Sequence, residues 1–388
     1  MARKNAQTLQ AFKDIQLTAI DSSLPIRRSR FDEEHRVDWV DYCKGLGIFL
    51  VVIGHVLGGI QQSGVISDSL RYRLVEDWLY TFHMPLFFFL SGLFVQRSMR
   101  KPFVGFIFDK AAVLVYPYFV WSVLQGILQT SHYANSPISA TDLLRIPYVP
   151  IGEYWFLYTL FVITIIYRVF YQFTASSMAF FGLTIVCFIA ERSGIDVIRW
   201  NVAHSVASFL IYFGGGVAIA QNSSLIRLRE LGNASLLAIG VGGYAVVTIA
   251  VMIGVGAYND NQVLVWPWWT MAGIVATMAV AILISRSTIF SFVKLWGLLS
   301  LEIYVAHVMA AAIFRVILQK AFGVSEPLFH FVLGTGIGIY APILLAYICP
   351  WIGVPYAFTL SRSRLQPWVG SPFGIRSLPS ERITSKTR

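Results

Sequence analysis

Long stretches of this chain carry no Asp, Glu, Lys or Arg, and nothing else in it constrains the fold as tightly. A hydrocarbon core about 30 Å thick is crossed by a helix of roughly 20 apolar residues. Such spans are predicted at 42–61, 77–96, 111–130, 153–171, 176–191, 202–220, 234–256, 264–284, 295–317 and 328–349. The fifth is the shortest. Gly214-Gly215-Gly216 and Pro342 are expected to bend the sixth and tenth. Only 13% of the 388 residues are charged and 56% are hydrophobic, whereas soluble domains carry about 25% charge. Mean hydropathy is +0.64. A water-soluble globule and a disordered chain are both excluded. The expectation is an all-α polytopic membrane protein of about ten transmembrane helices.

Residues 1–37 read as a flexible basic arm, 38–360 as the membrane domain and 361–388 as a basic tail. No secretory signal is expected in the arm, which lacks an early apolar core with a small-residue cleavage site. With the N-terminus inside, the inner segments hold 23 of the Lys and Arg residues and the outer segments 7. Both termini are therefore expected in the cytoplasm. Without the two tails the ratio is 10 to 7. The net charge of +10 is read as cations gathered at one membrane face, in contact with lipid headgroups, and not as a nucleic-acid surface. Cys43, Cys187 and Cys349 form no disulfide framework or zinc spacing. Trp78, Trp155, Trp200, Trp266, Trp268 and Trp269 mark predicted interfaces.

Ionisable groups inside spans are costly and usually functional. The first span carries Asp41, Lys44 and His55. Lys44 and His55 are 11 residues apart, which puts them within about 20° on one face and about 16 Å apart along the axis. Asp41 lies one turn below Lys44 on nearly the same face. The second span places His83 in its outer third, at a depth similar to His55. The ninth carries Ser300, Tyr304 and His307 on one face, with Glu302 about 140° away from His307. The bland reading of these groups is an interface pair, packing histidines and a helix–helix contact. Between the second and third spans, Arg97, Arg100, Lys101 and Lys110 form a cationic inner mouth. Such a set holds phosphates well, although ordinary positive-inside topology also explains it. Imidazole titrates near neutrality and serves as a base or an acyl acceptor. No metal-ligand spacing and no Walker-type phosphate loop is present.

At these residues the sequence resembles the acyltransferase-3 family of integral membrane acyltransferases, most closely its fucose 4-O-acetylase and exopolysaccharide O-acyltransferase members. Asp41, Lys44 and His55 match the first-span signature, and Phe82-His83 through Ser91-Gly92 the second. Lys110 to Tyr118, Trp155-Phe156-Leu157 and Ser300 to His307 match weaker patterns. The matches run from about Asp38 to about Pro350. Lys44 stands where many relatives have Arg, so the bidentate fork is lost but the cation is kept. No fused extracytoplasmic domain is expected. The resemblance implies transfer of an acetyl or succinyl group from acyl-CoA, a co-substrate and not a resident cofactor, to a hydroxyl of a surface or exopolysaccharide sugar, either lipid-linked or polymeric. It implies a multi-pass protein of the bacterial inner membrane. His55 is then general base or transient acyl acceptor, with Asp41 and His83 beside it. Lys44, Arg97, Arg100, Lys101 and Lys110 hold acyl-CoA, and Trp155, Glu302, Tyr304 and His307 line the site. The competing class is a proton-coupled transporter or flippase of sugar-lipid precursors, whose histidines relay protons.

Overall fold

The computed structural model describes residues 38–66, 70–130, 137–193, 201–220, 224–256 and 267–360. The basic arm and tail, Trp200 and Trp266 lie outside these residues. Among the described residues there is no strand. The helices are α1 (Asp38–Gln62), α2 (Leu70–Val95), α3 (Phe103–Lys110), α4 (Tyr116–Gln129), α5 (Trp155–Phe173), α6 (Ser177–Arg192), α7 (Asn201–Ala220), α8 (Ser224–Glu230), α9 (Asn233–Gly256), α10 (Pro267–Ser285), α11 (Ser291–Leu298), α12 (Ser300–Lys320) and α13 (Pro327–Trp351). Nine helical segments among the described residues are long and apolar enough to cross a bilayer. They correspond to all the predicted spans but the fifth, which is the 16-residue α6. The chain is an all-α polytopic membrane protein.

Successive long helices run antiparallel, so the bundle has two ends. One carries Lys44, the 3-10 turn Gln96–Arg100 and α3; the other carries Gln62, the start of α2 and the connection 137–151. α1 is central, touching α2, α10, α11, α12 and α13.

Two close crossings are made by glycines. A Cβ on Gly297 would strike the Asp41 carbonyl oxygen, and one on Gly45 the Val293 carbonyl oxygen. The short α11 therefore lies directly on the first turns of α1. This contact explains a difference from the sequence reading, which expects one unbroken span at 295–317. The helix stops at Leu299 (φ −104°, ψ 23°) and restarts as α12. In α7 the Gly214–Gly216 run lies within one helix. Its Gly216 packs on the Phe89 carbonyl of α2, and Gly92 of α2 packs on the Phe213 carbonyl. Pro342 likewise lies inside the single helix α13.

The third span is held together by a π-turn, Ala111–Val115. Tyr116 N–H donates to Ala111 O, five residues back, ahead of Pro117, which has no N–H to give. The Ala112 carbonyl is thereby released from the helix. It accepts instead from Leu360 N at 3.2 Å and Thr359 Oγ1 at 3.1 Å. Trp121 Nε1 donates to Ala357 O at 3.0 Å. These bonds clip the segment after α13 to the start of α4.

Candidate active site

A cavity of about 820 Å³ lies at the Gln62 end of the bundle. It is walled by the second halves of α1 and α4, by α2 between Glu76 and Met84, by α12 between Tyr304 and Ile317, and by residues of the connection from Ile138 to Trp155. His55, His83, Trp155 and Tyr304 all line it. Four of the expected site residues, from four different helices, are thus on one wall.

Behind them stands His307, fully buried, with its ring centroid 5.1 Å from that of His55 at an interplanar angle of 59°. His307 Nδ1 is 2.7 Å from Tyr304 O and 3.1 Å from Ile303 O. Carbonyl oxygens only accept, so Nδ1 carries the proton and Nε2 is a lone-pair acceptor. Nε2 has no hydrogen-bond partner among the described residues. His83 is fixed in the same way: its Nδ1–H donates to Leu79 O, leaving Nε2 with the lone pair. The edge of its ring meets Tyr80 at 4.8 Å and 81°. Helix geometry alone sets both tautomers, because each bond runs to a carbonyl one turn back on the same helix.

Glu153 is the wall residue the sequence reading did not single out. It opens the fourth predicted span, where a carboxylate reads as an interface cap. It sits in the 3-10 turn Gly152–Tyr154, just before α5, and Gly152 enters that turn at φ +51°, a conformation open to glycine. The Glu153 side chain is only 6% exposed. Gln125 Nε2 donates to Glu153 Oε2 at 3.1 Å. Tyr304 Oη donates to the Glu153 carbonyl. The Tyr154 hydroxyl donates to Val305 O at 2.8 Å, with Gln125 Oε1 3.1 Å away. This network ties α4, α5 and α12 together at the cavity floor. Glu153 Oε1 has no partner among the described residues. At the mouth, Asp142 pairs with Arg145 at 3.4 Å. The Ser139 backbone N–H and then its hydroxyl hold the Asp142 carboxyl below its ordinary value, with Arg145 adding to them.

The other expected residues are elsewhere. Asp41, Lys44 and Glu302 lie toward the Lys44 end and are not on the cavity wall. Arg97, Arg100, Lys101 and Lys110 cluster at that same end. Lys101 pairs with Asp109, Arg97 lies 5.1 Å over the Phe94 ring and Lys110 5.5 Å over the Phe106 ring. Arg168 of α5, counted in the sequence only for topology, holds this loop. Its guanidinium lies 5.4 Å over Phe103, and Nη2 donates to Lys101 O at 3.4 Å. Among the described residues no group of three or more His, Cys, Asp or Glu is placed to bind a metal ion.

The wall can take a proton from a hydroxyl, hold polar ligand atoms and exclude water from one side of a reacting bond. A family profile described as "Acyltransferase domain" matches residues 37–347. The chain is 31% identical over 173 residues to the nodulation protein NolL of Mesorhizobium japonicum, covering 44% of this chain and 43% of that protein. It is 28% identical over 138 residues to the nodulation protein NolL of Sinorhizobium fredii, covering 35% and 37%. The matched region is thus less than half the length of these relatives. No solved structure matches.

Proposed function

Because the chain belongs to the acyltransferase-3 family, we propose that it is a membrane O-acyltransferase that moves an acetyl or succinyl group from acyl-CoA to a hydroxyl of a surface or exopolysaccharide sugar. One observation carries this reading: His55 faces an 820 Å³ cavity with His307 against its ring. His55 takes the proton of the acceptor hydroxyl as that oxygen bonds to the thioester carbonyl carbon. The C–S bond then breaks, the sulfur leaves with the proton from the imidazolium, and the products are an ester and free CoA. The buried His307 ring packs against His55, 5.1 Å between centroids, and in this reading its unprotonated Nε2 is the group that steadies the imidazolium. His83, with its lone pair fixed, is the second base on the wall.

In this reading Arg97, Arg100, Lys101 and Lys110 hold the CoA phosphates, and the pantetheine arm runs along α1 past Lys44. The acceptor, lipid-linked or polymeric, enters from the opposite end. The positive-inside count supports a cytoplasmic cation end, and the reading takes the bacterial inner membrane as the site of action. The test is mass spectrometry of surface glycans from the source strain with and without this chain. Glycans gaining the mass of one acetyl or one succinyl group only when the chain is present support the reading, and identical spectra contradict it.

A further inference from the structure

Glu153 is a carboxylate with half of its capacity unused. Oε2 accepts from Gln125, while Oε1 is buried and has no partner, and among the described residues no cation pairs with the group. A buried carboxylate without a cation is costly within a bilayer. The network around it does not need its charge. Tyr304 uses the Glu153 backbone carbonyl, and Tyr154 uses Val305 O and Gln125. Glu153 is one of the residues lining the cavity that His55 and His83 also line.

An ionised carboxylate only accepts hydrogen bonds. While the group is ionised its missing partner is a donor, and no donor among the described residues reaches Oε1. The cavity lining carries Arg145 and Arg315 against Glu76, Asp142 and Glu153, with Arg145 already paired to Asp142, so its charge does not select a cationic ligand over a neutral one. Hydroxyl donors are the ones that the saccharide acceptor of the acyltransferase reading supplies. We propose that Glu153 Oε1 is the anchor of a hydroxyl subsite: it accepts from a second hydroxyl of the saccharide acceptor, beside the one that His55 deprotonates. The subsite thereby selects polyols over simple alcohols, and it orients the ring so that one hydroxyl rather than its neighbour meets the base. This assignment rests on the acyltransferase reading above.

The test uses the full-length chain in lipid nanodiscs, with radiolabelled acetyl-CoA as donor and surface glycan from a strain lacking the chain as acceptor. Glu153→Ala and the isosteric Glu153→Gln are compared with wild type, each checked for a monodisperse, correctly sized particle. Hydrogen bonds to charged groups are strong, so kcat/KM for the glycan is expected to fall about 10- to 100-fold in the Ala variant and about tenfold in the Gln variant. KM for acetyl-CoA is expected to stay within about twofold, since the donor does not touch a hydroxyl anchor. Unchanged glycan kinetics in Glu153→Ala overturn the assignment. So does a parallel loss of donor and acceptor KM in both variants, which marks a purely structural carboxylate. A wild-type chain that neither releases thiol nor labels glycan contradicts the acyltransferase reading, and the subsite falls with it.

Discussion

His307 does not line the cavity, yet its ring packs 5.1 Å from that of His55, which does. Its Nδ1–H is held by two carbonyls, so the nitrogen left for other work is a lone pair. Replacing it by Phe keeps the buried volume close to native and removes that lone pair. If that lone pair steadies the His55 imidazolium as proposed, the expected result for His307→Phe is a kcat lowered about 10- to 100-fold with KM for acetyl-CoA unchanged. Kinetics equal to wild type would reduce His307 to packing. Histidines were legible in the sequence because they are rare inside spans. Glu153 was not, because the first residue of a span looks like any interfacial acid until the turn beneath it folds it inward. Its partners Gln125 and Tyr304 lie 28 and 151 residues away.

Charge-free apolar runs located the long helices, because a bilayer enforces length, although α2 begins at Leu70, seven residues before the span predicted from 77. They missed the break at Leu299, since hydropathy does not change there. The cause is a contact between α11 and α1 that only the fold reveals. Gly297→Ala tests it. The new Cβ would overlap the Asp41 carbonyl, a backbone atom that cannot swing aside. Overpacking of this kind costs about 1–3 kcal/mol, so the detergent-solubilised protein is expected to melt several degrees lower. Gly182→Ala, with nothing within 4 Å of the added atom, serves as the control and should match wild type. Equal melting of both variants would remove the crossing as a determinant of the fold.

Across the described residues, the basic loop and the histidine-lined cavity lie at opposite ends, with Lys44 and His55 about 16 Å apart along α1. The sequence gives the rise between those two residues but not which helices share a wall. The expected site set therefore divides into a group at the cavity and a group remote from it. If the donor is held at the cation end and the acceptor activated at the cavity, as proposed, the two halves should fail differently. The decisive measurement is steady-state transfer from radiolabelled acetyl-CoA to extracted glycan by the purified chain, comparing His55→Ala with Arg100→Ala. The account predicts that His55→Ala lowers kcat about 10²- to 10⁴-fold with KM for acetyl-CoA intact. It predicts that Arg100→Ala raises that KM severalfold with kcat nearly intact. Full transfer by His55→Ala would contradict it.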